Sequence, residues 1–377
     1  MRQMSGRQLL LDTLQGKRTD RVPVAPFIFQ NLANEFRGGI SADPIADTVA
    51  LYRRYGFDIL LRSYIMADYL DESFVSNANW CVEKSRVETQ QGWNEISIIT
   101  TPERKLRQVK SYRKVTEYET VEATTEYFIK TEEDFRQFEQ FQPPLPQFDC
   151  SKISYARALV GDDGLVGTWI HGAFNMTGLH RKLDDLLMDP YVDEDLYRDM
   201  ITYFGARVAS LVPQLIAAGC DFLSVSGNMA SGSMAGPKLF EQSVMPYEMK
   251  LIDAIHRSGG KVIYHNCGDA RFLLPLYGKM GIDIYESLTA EPYGDTVLAH
   301  ALTQIPLPTV LSGGIDQIQF LKTATPAQVR ARVREVLDAV KPRGGFILAA
   351  SDYFSEGTPP ENIQTFSDAA HEFGRYD

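Results

Sequence analysis

Short runs of β-branched and aromatic residues alternate with longer stretches of helical periodicity along most of the chain. The runs are VPVAPFI from Val22, FDILLR from Phe57, LVGTWI from Leu165, DFLSVS from Asp221, KVIYHN from Lys261, IDIYES from Ile282, PTVLSG from Pro308 and GFILAA from Gly345. Each is long enough for one strand and too short for a helix. Between them lie helical patterns such as VDEDLYRDMITYFGARVASLVPQLIAAG before the fourth run and TPAQVRARVREVLDAV before the eighth. Several end in Gly just ahead of the next run, as in AAGCDF, RSGGKV and KMGIDI, the signal of a helix C-terminus. Eight alternating β and α units in this length predict an α/β protein, a (β/α)8 TIM barrel. An open doubly wound sheet competes, but it needs a glycine-rich phosphate turn after its first strand. PFIFQNLANEF has none.

Residues from about 80 to 130 break the alternation. Polar residues there interleave with β-branched and aromatic ones over short runs joined by turns, which predicts an antiparallel β-hairpin insertion between barrel strands 2 and 3. A helix TEEDFRQFEQF and the loop QPPLPQFD follow, the prolines marking the return to the barrel. The whole chain, residues 1–377, is read as one barrel domain carrying this insertion.

Composition narrows the class. With 44% hydrophobic residues, 377 residues can bury a large core. No apolar run approaches the roughly 20 residues of a membrane span, and MRQMSGRQLLLDTLQGKRTDR has the spacing of a charged amphipathic helix, so a cytoplasmic protein is expected. The net charge of −11, without a basic cluster flanked by aromatics, argues against nucleic acid or an anionic membrane as partner. Four scattered cysteines, Cys81, Cys150, Cys220 and Cys267, are too few for a disulfide framework and are expected as thiols. The oligomeric state is not legible.

Barrel enzymes keep their chemistry at the C-terminal ends of the strands, and there the polar residues gather. His171 follows LVGTWI, Asn228 follows DFLSVSG, and His265 and Cys267 follow KVIY. Glu286 lies in IDIYES, Asp316 follows TVLSGG and Asp352 follows GFILAAS. His265 and Cys267, two residues apart in an extended segment, point the same way. A buried Cys or a lone His is usually inert packing, and Cys81, Cys150, Cys220, His256 and His371 are read so. His171 stays open between substrate contact and structure. An imidazole and a thiolate together suit Zn²⁺, which also accepts carboxylate oxygen. Glu286 and Asp352 are the candidates to complete the set, and binding both would leave no open tetrahedral position. Trp169, Phe174, Tyr353 and Phe354 are placed to clamp a ring at the mouth or simply to pack.

TDRVPVAPF near the start, SVMPYEMKLIDAIHRSGGKVIYHNCGD and the closing EGTPPENIQ resemble the uroporphyrinogen decarboxylase superfamily over nearly the whole chain. HNCG resembles the His-x-Cys of its zinc-dependent, corrinoid-linked methyltransferase branch. The resemblance implies a (β/α)8 barrel, a zinc site with His265 and Cys267 as ligands, and methyl transfer to or from the cobalt of a corrinoid (cobalamin). No Asp-x-His-x-x-Gly pattern for binding the corrinoid occurs in the chain, so a separate corrinoid protein is the expected partner.

Two departures refine this. The decarboxylases of the superfamily have an Arg-rich motif after the first strand and an Asp after the second; here PFIFQNLANEF after the first run carries no Arg until Arg37, and Tyr64 stands about where that Asp is expected. Decarboxylation is therefore the alternative. The thiol-methylating members have a second zinc Cys shortly before a Gly-Thr-Pro, and here Asp352 stands six residues before Thr358. Oxygen ligation makes a harder, more electrophilic ion than two thiolates, suited to an ether or alcohol oxygen. The expected reaction is transfer of a methyl group from a methoxy compound, an aryl methyl ether or methanol, to Co(I) of the partner, with methylcobamide:thiol transfer as a further alternative. A barrel that has lost catalysis and serves as a scaffold is a third reading, which the intact His265/Cys267 pair opposes.

Overall fold

The computed structural model describes residues 4–62 and 68–376; Tyr64 lies outside the described residues. Seven of the eight expected runs form one parallel sheet. Its strands are β1 (Ile59–Leu61), β6 (Gly164–His171), β7 (Phe222–Ser226), β8 (Lys261–His265), β9 (Ile284–Ser287), β10 (Val310–Ile315) and β11 (Phe346–Ala350), hydrogen-bonded in that order. The remaining run, expected as the first strand, is a correction. VPVAPFI forms no strand; it makes a single parallel bridge, Val24 to Leu348. Pro23 and Pro26 each remove a backbone donor, so a full ladder cannot form. The segment still touches both edges of the sheet. Ala25 N–H donates to Leu348 O (3.1 Å), Leu348 N–H to Pro23 O (2.9 Å), and Asp58 N–H to Val24 O (2.8 Å).

Two cores follow from the alternation of side chains across the strands. The concave face is lined by Leu60, Leu165, Phe222, Ile263, Ile284, Val310 and Ile347, with Ala25 and, from the helix Gly6–Leu14, Leu10 and Leu14. The convex face packs under the helices. Burial of this kind stabilises by roughly 25 cal/mol per Å² of apolar surface. The expected long helix before β7 is broken into Glu194–Ala209 and Val212–Ala217, because Pro213 has no N–H to give the Ala209 carbonyl four residues back and is tolerated only in the first turn of a new helix. By length and mean hydropathy (1.2) Glu194–Ala217 could cross a membrane, contrary to expectation. Its apolar side, including Met200, Phe204 and Val208, is buried in the core.

The insertion is a four-stranded antiparallel meander, β2 (Cys81–Thr89), β3 (Gly92–Thr100), β4 (Lys105–Lys114) and β5 (Thr120–Glu126). Its β4–β5 turn reaches the loop after β11. Glu356 accepts from Tyr118 N–H (3.0 Å) and from the Thr116 hydroxyl, and the Tyr353 hydroxyl donates to Glu119. The sheet therefore buttresses one rim of the parallel sheet.

Candidate functional site

Strand register brings the chemistry together. His265 pairs with Glu286 and Glu286 with Ser312, while Trp169 pairs with Ser224. Paired residues of parallel strands share a face, and this one continues the row of Ile263, Ile284 and Val310 toward the C-terminal ends. Below lies an apolar layer; above it the face turns polar.

His265, Cys267 and Asp352 form one cluster, whose imidazole nitrogen, thiol sulfur and carboxylate oxygen lie within 4.8 Å of one another. His265 Nε2 is 3.9 Å from Asp352 Oδ2. His265 is buried, whereas Cys267 and Asp352 are partly open. Glu286 stands behind this trio. Its Oε2 lies 3.0 Å from His265 Nδ1 and its Oε1 accepts from Arg62 Nη2 at 2.7 Å. Burial alone would raise its carboxyl, but the Arg62 charge and the hydrogen bond from His265 overcome that and hold it at about 2. Glu286 is thus an acceptor only, so Nδ1 carries a hydrogen and Nε2 is the ring nitrogen that faces Cys267 and Asp352. Burial pushes the Asp352 carboxyl up, with the His265 charge acting against it. Burial opposes the imidazolium, yet hydrogen bonds to Cys267 and Glu286 and the charge of Asp352 raise it to about 10.

Aromatic rings surround this charge. Trp169 meets His265 edge-on at 5.2 Å, and Phe27 lies 5.6 Å from Trp169 and 5.9 Å from Tyr353. Phe29 lies 5.0 Å from Tyr353. Of the expected clamp, Trp169 and Tyr353 are at the site, while Phe174 and Phe354 are not. Phe174 opens the helix Ala173–Gly178 and is fully buried in the core. Phe354 packs against Phe57 and Phe366. Asn228 is exposed and accepts from Asn175 at 2.7 Å. Asp316 caps its own turn through Ile318 and Phe320 N–H. His171 donates its backbone N–H to the Tyr69 hydroxyl (3.0 Å), and its ring Nδ1 is buried without a partner among the described residues; burial holds that imidazole down at about 4, neutral in the physiological range.

Arg62, Phe27 and Phe29 were missed from the sequence. Arg62 follows β1 directly, and the rule that selected Glu286, a charged residue at the end of an apolar run, selects it too.

The helix Met245–Arg257, between β7 and β8, carries a separate buried acid. Glu248 is fully buried and accepts from Phe174 N–H at 3.1 Å. Desolvation pushes it from 4.5 up to about 7, against the hydrogen bonds from Phe174 and Ala173. A carboxyl raised in the folded state contributes stability that is complete below about 4.5 and lost as pH rises through about 7. Glu248→Gln is therefore expected to flatten the loss of stability between pH 5 and 8 by about 2–3 kcal/mol. Thermal melts of both proteins at the two pH values check this; equal pH dependence would refute it.

The family model described as uroporphyrinogen decarboxylase (URO-D) matches residues 124–373. Methylcobamide:CoM methyltransferase MtbA of Methanosarcina mazei is 22% identical over 209 residues, 55% of this chain and 58% of that protein. A methylated-thiol–coenzyme M methyltransferase of the same organism is 29% identical over 186 residues, 48% of this chain and 45% of that protein. The chain matches about half the length of these curated relatives. A solved methyltransferase from Methanosarcina mazei superposes with a TM-score of 0.72 at 16% identity, over 98% of this chain and 99% of that one, a likeness of fold.

Proposed function

Because the chain belongs to the uroporphyrinogen decarboxylase family, we propose that it is a methyltransferase that moves a methyl group from a methoxy compound, with aryl methyl ethers first, to the Co(I) of a corrinoid on a separate protein. The observation that carries this is the convergence of His265, Cys267 and Asp352: one nitrogen, one sulfur and one oxygen donor. Three protein ligands with a place left for substrate is the donor count of catalytic zinc, and the hydrogen bond from Nδ1 to Glu286 leaves Nε2 as the ligand atom. The residues fit zinc. Bound there, zinc supplies Lewis acidity toward a substrate oxygen.

The rest is done by the chain itself. Glu286 orients His265 and fixes its tautomer, as carboxylates behind metal-binding imidazoles do. This reading replaces the expectation of Glu286 as a fourth ligand and removes the excess negative charge that a fourth anionic donor would bring. Arg62 balances Glu286. Trp169, Phe27, Phe29 and Tyr353 offer ring faces to an aromatic substrate and exclude water from the reacting carbon. We read the seven strands and the Val22–Phe27 segment as a closed eight-membered barrel spanning the whole chain, which leaves the C-terminal mouth as the approach for the corrinoid partner. The setting is taken as cytoplasmic.

The test is incubation of the zinc-loaded protein with Co(I) cobalamin and a panel of methoxyarenes and methanol, following the conversion to methyl-Co(III) by absorbance. Uroporphyrinogen turnover by zinc-stripped protein without a corrinoid would instead favour decarboxylation. A second reading, methylcobamide:thiol transfer, is favoured by the activities after which the relatives are named. Rapid methylation of thiols by methylcobalamin with every oxygen donor inert would establish it. Within either reading, Glu286→Gln is expected to weaken zinc binding about 10- to 100-fold, the usual cost of losing a carboxylate behind a metal-binding imidazole. Competition with a chromogenic chelator checks it; unchanged affinity would remove Glu286 from the supporting shell.

A further inference from the structure

We infer that Arg62 recognises an anionic oxygen group on the substrate, so that the methyl donor is a methoxylated aromatic acid carrying a carboxylate. The inference rests on the methyl-transfer reading of the same site and goes beyond it by naming what the rest of the substrate must present.

The side chain of Arg62 is 1% exposed. One nitrogen, Nη2, donates to Glu286, while Nε and Nη1 are buried without an acceptor among the described residues. Leaving such donors unmet costs about 1–3 kcal/mol each, and more on a charged group. A guanidinium needed only to balance Glu286 would be satisfied as completely as the arginines that pair with other buried carboxylates. Arg21 gives both terminal nitrogens to Asp58, and Arg181 gives Nε and Nη2 to Asp189 and Nη1 to Lys130 O.

A second observation is independent of Arg62. Ser224 and Ser312 are fully buried, and their hydroxyls have no partner among the described residues. In register, Ser224 sits beside Trp169 and Ser312 beside Glu286, the two residues that Arg62 itself touches. Its guanidinium lies 5.2 Å from the Trp169 ring and 4.2 Å from that of Phe27. One face of the sheet thus gathers a held cation and two free hydroxyls, all able to donate, next to rings that can stack an arene. An oxyanion accepts from such a set; an apolar group would leave every donor unmet.

The probes are benzoate and its uncharged isostere benzamide, with binding to the zinc-loaded protein read by calorimetry and by tryptophan fluorescence. Benzoate is expected to bind at least about 10-fold tighter than benzamide. Arg62→Lys, which keeps the charge beside Glu286 but not the donor fork, should lose about 10- to 100-fold for benzoate and little for benzamide. Ser312→Ala should lose roughly 2- to 10-fold and guards against a poorly folded Arg62 variant. Equal binding of the two probes by the unsubstituted protein, or undiminished benzoate binding by Arg62→Lys, would overturn the inference. Turnover separates it from the reading beneath it. If methoxybenzene and methoxybenzoate are demethylated alike before and after Arg62→Lys, methyl transfer stands and the anion site falls. If benzoate binding follows Arg62 but no methoxyarene methylates Co(I), the anion site stands and methyl transfer falls.

Discussion

His265→Ala and Cys267→Ala are each expected to strip the protein of zinc, from close to one ion per chain to a small residual fraction. The two side chains leave β8 on the same face, and with Asp352 they form the cluster of mixed donors found among the described residues. Removing one leaves two ligands, too few for a tetrahedral catalytic site, which uses three protein donors. Structural zinc in small peptides binds with about 10–16 kcal/mol, so a lost ligand costs orders of magnitude in affinity. Metal analysis after dialysis against a weak chelator measures the effect. A full complement of zinc in both variants would move the site elsewhere. Asp352→Ala should weaken zinc or abolish turnover through the third donor, and wild-type values of both would take Asp352 out of the ligand set.

Demethylation is expected to stop when zinc is removed and to return when it is restored. Among aryl methyl ethers its rate should rise as the leaving phenol becomes more acidic. The charge that develops on the ether oxygen must be stabilised for the methyl group to leave, and an ion held by one imidazole, one thiolate and one carboxylate is harder than one held by two thiolates. A series of substituted methoxyarenes, assayed with Co(I) cobalamin before and after metal removal, gives both results. Rates independent of the leaving group and of the metal would sink the assignment. An inert series combined with fast thiol methylation would keep the family and reverse the direction of transfer.

The local order of the chain was legible because it rests on short-range rules. Strand runs, helix ends in Gly and the antiparallel insertion each depend on a few neighbouring residues, and the sheet order follows sequence order. His265 and Cys267 could be paired from a spacing of two, since an extended backbone puts both on one face whatever surrounds it. Asp352 was found by position, at the end of another strand.

Roles set by distant partners were not legible. Glu286 and Asp352 looked equivalent as carboxylates at strand ends; only the approach of Arg62, 224 residues away in sequence, draws Glu286 back from the cluster and turns it toward His265 Nδ1. The aromatics show the same division. Phe174 and Phe354 lie near strand ends as Trp169 and Tyr353 do, but they pack into the core, while Phe27 and Phe29, from a segment that two prolines keep out of the sheet, stand beside Tyr353. Local pattern along the chain was enough for the elements, their order and a candidate metal-binding pair. Tertiary structure alone decided which acid joins that pair, which acid supports it and which rings line the site, because those outcomes turn on contacts between residues far apart in the chain.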